Sequence, residues 1–579
     1  MNLTTFNENE LLIDRWYRNA GLYPDKDAIV HWSVDGTPFR WTFSSLISTA
    51  EKFAVILKKH SIKKGEVCAI IIRHNKYFHP IYFAVSLLGA IPAVLAYPNP
   101  RLHPDKFRQG IRGMLQRSGL DWILTEKDLE SILLPVADDR KSTIKGMFFP
   151  LEWIDNIINF NETGIKIINE INRERAAIQS TDPALLQHSS GTTGLQKPVV
   201  LSHKEVLLHI FNYSKAIKLN ENDKVVSWLP LYHDMGLIAA YHLPVAAGIT
   251  TVQINTFEWV IAPGLLLDII NAEKGTLSWV PNFAFNMMAE KIHDDEFEDI
   301  SLSSLRMLIN CSEPVRDESH QKFYNRLKKY GFKFNSIATC YAMAETTFAV
   351  TQSEPDKEVT KVSVDRSELA KGNMVISDNL NISRICVSSG KTIDGCQIKI
   401  VSDEGKILPE GKVGEIAVKS VSMFDGYRNY SEKTKEVLKG GWYYSGDYGF
   451  KWNDEFFVVG RKNDIIIIAG NNIYPEDIED AVSNIEDIIP GRVVAFGEYE
   501  PYIGSEVISV IAETKIVGEE ELKKLRLKIK KAGMQIDVTI SKVYLVSPRW
   551  LIKSSAGKPS RKTNKERILN LKESLNLEV

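Results

Sequence analysis

The chain has 579 residues, of which 44% are hydrophobic and 25% are charged, which is the composition of a soluble globular protein. This length corresponds to roughly three to five domains or subdomains, and such a chain buries a large core without disulfides or metals. The formal net charge of −2 provides no field that would recruit nucleic acid or an anionic membrane, which argues against both partners.

Two segments and the cysteines bear on where the protein works. Residues Met1–Arg15 are polar and acidic, and they lack the basic start and apolar core of a signal peptide. The most apolar stretch, Ile81–Tyr97, is short for a membrane span, which needs about 20 residues, and we predict a core helix followed by a buried strand. Five scattered cysteines without Cys-x-x-Cys spacing indicate buried or free thiols rather than a zinc site. We therefore expect a cytoplasmic protein without a membrane span.

Strand-like apolar runs alternate with helical patterns through the first two thirds of the chain. Many of these runs are continuous rather than alternating, which is typical of parallel strands buried on both faces of a layered α/β fold. The predicted strands include Val67–Arg73, Trp122–Thr125, Ala184–Gln187, Lys224–Leu229, Thr250–Gln253 and Met307–Asn310. The sequence thus predicts an α/β protein whose large N-terminal domain consists of layered α/β subdomains.

The character of the chain changes after about residue 380. Gln397–Val401 and Glu415–Ser420 are predicted to be short strands, and the turn Asp403-Glu404-Gly405 lies between them. This pattern favours a small antiparallel sheet or β-barrel-like subdomain over about residues 382–460.

The segment after Gly460 is predicted to form a compact, small C-terminal α+β domain. Its predicted elements are, in chain order, strand Asp464–Ala469, helix Pro475–Ile485, strand Arg492–Phe496, strand Ser505–Thr514, helix Glu519–Ala532 and strand Thr539–Leu545. The stretch Lys553–Arg567 is basic and polar, and we predict a mobile surface segment there.

The strongest local signal is a run of small residues that closely follows the strand-like Ala184–Gln187. It reads Ser189-Ser190-Gly191-Thr192-Thr193-Gly194-Leu195-Gln196-Lys197. Glycines and small hydroxyl residues let backbone N–H groups approach an anion, and a lysine adds charge, so the run indicates phosphate binding. An ordinary surface loop has a similar composition. A Walker-type P-loop is excluded by spacing, because Pro198 follows the lysine.

A second motif reads Trp228-Leu229-Pro230-Leu231-Tyr232-His233-Asp234-Met235-Gly236. The alternative reading is a core strand that ends in a polar turn. A His-Asp pair also occurs in metal sites and catalytic triads. The chain lacks a Gly-x-Ser-x-Gly elbow, so hydrolase chemistry receives little support.

Three further motifs are weak individually. In Tyr341-Ala342-Met343-Ala344-Glu345-Thr346-Thr347, a carboxylate follows an apolar strand, where it is suited to hold Mg²⁺ against phosphate oxygens. In Tyr444-Ser445-Gly446-Asp447, followed by Gly460-Arg461, an aspartate and an arginine are suited to ribose and phosphate. The run Ser554-Ser555-Ala556-Gly557-Lys558 places a lysine on a small-residue loop. Taken singly, each also fits an ordinary solvated loop or tail.

Together, in this order and spacing, the five motifs resemble those of the adenylate-forming superfamily of acyl-CoA synthetases, luciferases and peptide-synthetase adenylation domains. The resemblance covers nearly the whole chain. Within the superfamily the sequence is most similar to the fatty acyl-AMP ligases. The segments that carry this similarity are Trp228–Ile238, Asn310–Val315, Gly470–Glu479 and an insertion-like stretch of roughly Glu354–Asn381.

The resemblance implies a domain organisation and a reaction. The N-terminal adenylation domain would cover residues 1–460, and the C-terminal domain, 461–579, would rotate about a hinge at Asn463 and carry the catalytic Lys558. Such enzymes use ATP and Mg²⁺ to convert a fatty acid of medium to long chain into acyl-AMP, releasing pyrophosphate. They then pass the acyl group to the phosphopantetheine arm of an acyl carrier protein, and the insertion is thought to hinder the rearrangement that admits coenzyme A.

The resemblance also implies site residues. Glu345 would hold Mg²⁺, Lys558 would bridge the carboxylate and the α-phosphate, and His233 would line the acyl side. The predicted ATP- and AMP-binding residues are Ser189, Ser190, Gly191, Thr192, Thr193, Gly194, Lys197, Ser312, Glu313, Pro314, Tyr341, Ala342, Met343, Ala344, Thr346, Asp447 and Arg461. Trp228, Phe283 and Met287 are candidates for the acyl pocket, although aromatic residues and methionines are more often plain core.

Two departures from the family pattern leave alternatives open. The phosphate loop continues Lys197-Pro198-Val199 rather than Lys-Gly-Val, and the proline removes a backbone donor. The C-terminal loop reads Lys553-Ser554-Ser555-Ala556-Gly557-Lys558-Pro559, which keeps the lysine and changes its surroundings. The alternatives are an acyl-CoA ligase that uses coenzyme A and an inactive relative that binds nucleotide. We expect a monomer.

Overall fold

The protein is described by a computed structural model. It covers residues 6–34, 37–98, 104–139, 142–158, 162–189, 197–292, 300–379, 381–468, 471–500, 502, 505–553 and 559–575. Within these ranges, every helix is too short or too polar to cross a bilayer. All five cysteines are buried free thiols, which confirms the prediction from their spacing.

The strands of the large domain come first in chain order. They are β1 (Asp27–His31), β2 (Phe39–Thr42), β3 (Val67–Ile71), β4 (Ile91–Val94), β5 (Trp122–Thr125), β6 (Gly146–Phe148), β7 (Pro183–Ser189), β8 (Lys197–Ser202), β9 (Lys224–Ser227), β10 (Thr250–Gln253), β11 (Leu277–Val280), β12 (Met307–Asn310), β13 (Ile337–Ala342), β14 (Ala349–Gln352), β15 (Lys361–Asp365), β16 (Ser383–Val387), β17 (Lys391–Thr392), β18 (Cys396–Val401), β19 (Gly414–Ser420), β20 (Leu438–Lys439), β21 (Trp442–Trp452) and β22 (Glu455–Arg461). The C-terminal strands are β23 (Ile466–Ile468), β24 (Asn471–Ile473), β25 (Ile488–Glu500), β26 (Ser505–Thr514) and β27 (Ile540–Val546).

Helices connect most of these strands. They are α1 (Leu12–Leu22), α2 (Phe43–Lys59), α3 (Phe78–Leu87), α4 (Pro104–Ser118), α5 (Glu130–Ala137), α6 (Ile154–Ile158), α7 (Glu162–Arg175), α8 (His203–Ala216), α9 (Leu243–Ala247), α10 (Thr256–Ile261), α11 (Leu265–Glu273), α12 (Asn282–Lys291), α13 (Asp317–Leu327), α14 (Arg366–Ala370), α15 (Ser431–Val437), α16 (Pro475–Ser483), α17 (Glu519–Met534) and α18 (Arg561–Leu575). A π-helix, Met235–His242, precedes α9.

Two large sheets form the frame of the N-terminal domain. One runs in the order β17-β14-β13-β12-β11-β9-β10-β1-β2 and the other in the order β6-β5-β3-β4-β7-β8. Their central strands pair in parallel. The edge strands β2, β17 and β8 pair antiparallel, whereas the edge strand β6 pairs in parallel. Every residue of β3, β10 and β12 is buried, as continuous apolar strands between helical layers should be. The predicted α/β class is thus confirmed, and the six strands predicted in this part of the chain are present with ends shifted by two residues at most.

The predicted change of character after residue 380 corresponds to an antiparallel sheet. Strands β18, β19, β21 and β20 pair in that order, and β22 pairs with β21. The predicted insertion contributes β15, which pairs with β16, and the short helix α14. Its buried Val364 and Leu369 join one apolar cluster with Tyr474, which belongs to the C-terminal domain. The bounds of this insertion and of the domains stay predictions.

The C-terminal domain is an α+β unit built on the sheet β25-β26-β27. Neighbouring residues of β25 face opposite layers: Val493 joins the cluster with α16 and α17, whereas Val494 joins the cluster with Ile568 of α18. The prediction of a mobile surface segment over Lys553–Arg567 was wrong for its second half, because α18 begins at Arg561. Composition alone suggested a solvated tail, but Asn564 and Ile568, one helical turn apart, are buried.

Candidate nucleotide-binding site

Three sequence motifs meet at one carboxylate. The hydroxyl of Tyr341, at the end of β13, donates a hydrogen bond of 2.6 Å to Oδ2 of Asp447. The register of β21 and β22 places Arg461 opposite Asp447, and its Nε lies 2.9 Å from Oδ1. The Asp447 carboxylate raises the pKa of the Arg461 guanidinium against the effect of burial, so the guanidinium keeps its charge. A fixed carboxylate of this kind is suited to accept hydrogen bonds from ribose hydroxyls.

A second cluster surrounds Glu345, which is only 4% exposed. The hydroxyl of Tyr427 donates to Oε1 of Glu345 at 2.6 Å and lies 3.4 Å from the hydroxyl of Tyr443. Lys197 Nζ lies 5.2 Å from the Tyr427 ring centroid, within cation–π range. Burial lowers the pKa of Lys197, while the Glu345 carboxylate raises it. The cluster therefore joins an acidic and a basic motif residue through one aromatic side chain.

The two clusters lie close enough for the charges of one to act on side chains of the other. The positive charge of Arg461 acts on both Lys197 and Tyr427, and the carboxylate of Asp447 acts on Tyr443. Sequence reasoning missed Tyr427 and Tyr443. The chain has 20 tyrosines, and no local pattern separates these two from the others.

The phosphate-binding run lies mostly outside the described residues. Ser189 ends β7, and Lys197, which begins β8, pairs with it in an antiparallel register. The predicted residues Ser190, Gly191, Thr192, Thr193 and Gly194 lie outside the described ranges. Pro198 lies inside β8, an edge strand where a missing N–H is tolerated, and its carbonyl accepts a hydrogen bond from Arg428 N at 3.0 Å.

The predicted adenine loop follows β12. Ser312 adopts a left-handed φ of 69°, and its Oγ lies 3.8 Å from the Met235 sulfur of the second motif. The backbone N–H of Phe283 donates to Oε2 of Glu313 at 3.0 Å. The facing segment contains Ala342, Met343, Ala344 and Thr346, and the Met343 N–H donates to Phe348 O at 2.9 Å. The predicted role of Pro314 in adenine binding stays a prediction.

The second motif turns sharply between β9 and the π-helix. A Cβ on Gly236 would lie 2.3 Å from the carbonyl oxygen of Pro230, so only glycine permits this turn. His233 lies in the turn, and its carbonyl accepts from Leu237 N at 2.8 Å. The indole of Trp228 stacks on Trp259 at 3.6 Å between ring centroids.

The three acyl-pocket candidates lie on the apolar side of this turn. The ring of Phe283 meets that of Trp228 edge-on, with 6.2 Å between centroids, and is 37% exposed. Met287 is partly buried against the main core. These positions fit either a pocket wall or ordinary packing, so the acyl pocket stays a prediction.

The loop of the predicted catalytic lysine is tied at both ends. Lys558 lies outside the described residues. Before the loop, Ile552 N–H donates to Oδ1 of buried Asn564 at 2.8 Å, and after it Ser560 N–H donates to Ile552 O at 3.0 Å. Burial lowers the pKa of Lys553, the first loop residue, to about 8, and the charge of Glu313 opposes this shift. The charge of Glu313, in the adenine loop, therefore acts on Lys553 at the base of this loop.

The predicted hinge follows β22. The N–H groups of Asp464 and Ile465 return to Arg461 O, at 3.0 and 3.1 Å, and enclose Asn463 in a tight turn. Beyond the turn, Asp464 Oδ2 pairs with Arg561 Nη1 at 2.6 Å. No observation of motion assigns Asn463 as the pivot, and the hinge stays a prediction.

We next ask whether the side chains of this site fit a bound Mg²⁺. Within the described ranges, no group of three or more His, Cys, Asp or Glu side chains is arranged to hold a metal. Mg²⁺ in nucleotide-dependent enzymes is bound by one or two carboxylates together with substrate phosphates and waters. Glu345, a buried carboxylate beside Lys197, fits that pattern.

Comparison with known proteins decides the family. The family described as AMP-binding enzyme matches residues 16–428 of the chain. The chain belongs to the AMP-binding enzyme family. The matched range includes the phosphate run, the second motif, the adenine loop and Glu345, and it ends just after Tyr427.

Relatives and a solved structure show which members of the family this AMP-binding enzyme is similar to. It is 26% identical to the 4-hydroxyphenylalkanoate adenylyltransferase of Mycobacterium marinum, over 96% of this chain and 91% of the relative. It is 28% identical to the medium-chain-fatty-acid–[acyl-carrier-protein] ligase JamA of Moorena producens, over 76% and 74%. A structure from a study of fatty acyl-adenylate ligases of E. coli and L. pneumophila matches with a TM-score of 0.87 at 25% identity, over 97% and 98%.

Proposed function

We propose that the protein activates a fatty acid of medium to long chain as its acyl-AMP, with ATP consumed and pyrophosphate released. We further propose transfer of the acyl group to the phosphopantetheine thiol of an acyl carrier protein. The observation that carries the proposal is the meeting of separate motifs at Asp447, since Tyr341, 106 residues away, and Arg461 both contact its carboxylate. Family membership supports this reading of the site.

Nucleotide binding follows from the contacts of the site. Each carboxylate oxygen of Asp447 already contacts one protein donor and keeps acceptor capacity for a ribose hydroxyl. Arg461 orients this carboxylate through the contact at 2.9 Å, and it adds donors for ribose or phosphate. The adenine is assigned to the space between the Ser312–Pro314 loop and the segment after Tyr341.

Adenylation forms a bond between a substrate carboxylate oxygen and the α-phosphorus, and it breaks the bond to the pyrophosphate oxygen. Negative charge grows on the α-phosphate and the leaving group, so cations and donors aimed there lower the barrier. Lys197, with Thr192, Thr193 and the amides of their loop, is assigned to the pyrophosphate, and Lys558 to the carboxylate and α-phosphate. When bound at Glu345, Mg²⁺ would neutralise phosphate charge.

The acyl side of the site is assigned to the second motif. His233 lies in the turn that Gly236 permits, and Trp228, Phe283 and Met287 supply apolar surface nearby. An apolar wall at that point favours a hydrocarbon chain over a polar acid.

The acceptor proposal rests on the insertion and on one relative. Val364 and Leu369 of the insertion share a cluster with Tyr474, so movement of the C-terminal domain would expose buried apolar surface. JamA, a relative over 76% of this chain, is named for transfer to an acyl carrier protein. We propose that the insertion disfavours the rearrangement that coenzyme A needs.

The test incubates the protein with ATP, Mg²⁺ and acids from short to long chain. Each acid is supplied with coenzyme A, with a phosphopantetheinylated carrier protein, or with neither acceptor, and products are followed by mass spectrometry. We expect acyl-AMP without acceptor and acyl transfer to the carrier only. Efficient formation of acyl-CoA would instead identify an acyl-CoA ligase. If no acyl-AMP formed with any acid, the protein would be an inactive nucleotide-binding relative.

A further inference from the structure

The end of the adenine loop is fixed on one side by a buried polar network. The N–H of Arg316, two residues after Pro314, donates to Oδ1 of Asn282 at 3.1 Å. The same oxygen accepts from Nδ2 of Asn310 at 3.0 Å, and Asn282 Nδ2 donates to Ser319 Oγ at 3.0 Å. Asn310 and Ser319 are buried, so the network holds the backbone of Arg316 at a defined position in the large domain.

The side chain of Arg316 points the other way, into the C-terminal domain. Its Nη1 lies 3.3 Å from Oδ1 of Asp477 and its Nη2 lies 2.6 Å from Oδ2 of Asp480. Asp477 lies in the first turn of α16, where the helix dipole favours negative charge, and Asp480 lies about one turn further along the helix. One residue therefore joins the adenine loop to a helix of the other domain.

A second arginine of the large domain, Arg384, also contacts Asp477. Nη1 of Arg384, from β16, lies 3.1 Å from Oδ2 of Asp477, and the Arg384 side chain is only 6% exposed. Arg366, from the insertion, adds a third positive charge that acts on Asp477. We call Arg316, Arg384, Asp477 and Asp480 the interdomain clamp. Breaking it would leave a buried arginine without its carboxylate, which is far more costly than losing an exposed pair.

We propose that Arg316 is a positioning residue that couples the adenine loop to the C-terminal domain, so that nucleotide affinity and domain arrangement depend on each other through the interdomain clamp. The inference rests on the proposed assignment of adenine to the loop that Arg316 ends. Coupling of this kind is reciprocal: a carboxylate that never touches the nucleotide changes its affinity if it holds the loop in the binding conformation.

The first experiment measures the clamp without nucleotide. Labels on cysteines introduced at exposed Glu404 in the large domain and Lys523 in the C-terminal domain report the interdomain distance, because all five native cysteines are buried. We expect a broader distance distribution in Arg316→Gln and in Asp480→Asn than in the parent. Asp480 is 51% exposed, so its substitution leaves the fold intact. Unchanged distributions in both variants would overturn the clamp.

The second experiment is a double-mutant cycle on nucleotide affinity, measured by calorimetry with α,β-methylene-ATP. We expect Asp480→Asn to weaken binding about fivefold or more in the parent and to have no effect in the Arg316→Gln background. Equal effects in both backgrounds would refute the coupling. Arg526→Gln is the matched control, since Arg526 pairs with Glu519 inside one helix.

The two experiments separate this inference from the proposed function. If the parent protein bound no ATP analogue, the proposed function would fail, and the distance measurement would still decide whether the clamp holds the domains. If the analogue bound and the cycle were additive, nucleotide binding would stand and the coupling would fall.

Discussion

Tyr427 donates a hydrogen bond of 2.6 Å to Glu345 although 82 residues separate them. The tyrosine hydroxyl fixes one oxygen of the carboxylate that we assign to Mg²⁺, and its ring lies beside Lys197. Buried polar contacts of this kind hold functional groups at the positions that chemistry requires.

Tyr427→Phe keeps the ring and removes the hydroxyl. A hydrogen bond to a charged group contributes about 1.5–3 kcal/mol, so we expect pyrophosphate release to fall by roughly 10–100-fold and to need more Mg²⁺. Steady-state assays at several Mg²⁺ concentrations measure both effects. Tyr448→Phe is the control, because its hydroxyl bonds Asp403, in the turn after β18, rather than Glu345. Equal rates in Tyr427→Phe and the parent would remove Tyr427 from the site.

Lys558→Ala tests the transition-state assignment. Loss of a cation that contacts the developing charge is expected to lower pyrophosphate release by about 10²–10³-fold. Lys562→Ala changes an exposed lysine on α18 and should have little effect. Near-normal release from Lys558→Ala would show that the lysine acts elsewhere.

The insertion can be weakened by Leu369→Ala. Leu369 is 2% exposed in the cluster with Tyr474, so the truncation is expected to cost about 2–5 kcal/mol of local packing. We expect a higher yield of acyl-CoA while acyl-AMP formation is retained, and deletion of the insertion should raise it further. Ile400→Ala, in the buried part of β18, controls for general destabilisation. No rise in acyl-CoA with adenylation intact would refute the role of the insertion.

The pKa of Lys553, lowered by burial to about 8 from 10.5, predicts its pH dependence. Pulse labelling of Lys553 with acetic anhydride should therefore reach half of its maximum near pH 8. Because Glu313 raises this pKa, Glu313→Gln should shift the midpoint downward. An unchanged midpoint in that variant would separate Lys553 from the adenine loop.

The lowered pKa of Lys553 also makes the stability of the fold depend on pH. Between pH 8 and 10.5 the unfolded chain binds the proton that folded Lys553 has released. The free energy of unfolding contributed by this residue therefore rises with pH across that window. Lys553→Met should remove this slope in denaturant titrations.

The proposed acyl pocket near His233 can be tested by a substitution that reduces its space. Met287→Trp adds volume beside Phe283 and should shift the preferred acid toward shorter chains. Competition among acids of different length, analysed by mass spectrometry of the acyl-AMP products, measures the shift. Met288→Leu, at a fully buried position nearby, should leave the profile unchanged. An unchanged profile in Met287→Trp would favour the plain-core reading of these residues.

Local patterns in the sequence determined the fold class and most of the candidate site. Continuous apolar runs such as Val67–Ile71 predicted buried parallel strands because only a strand covered on both faces tolerates that pattern. The motif residues Asp447, Arg461 and Glu345 were identified because carboxylates and an arginine at those points of the motifs suit ribose, phosphate and Mg²⁺.

Only the tertiary structure decided which side chains meet. Tyr427 contacts Glu345, and Arg316 contacts Asp477, through separations of 82 and 161 residues, and neither pair leaves a periodic trace along the chain. The helix α18 was missed for a related reason, since its charges suggested a solvated tail, whereas Asn564 is buried and bonds the backbone of Ile552. Sequence periodicity reports which face of an element is buried, whereas the partner across the interface depends on how whole sheets and domains pack.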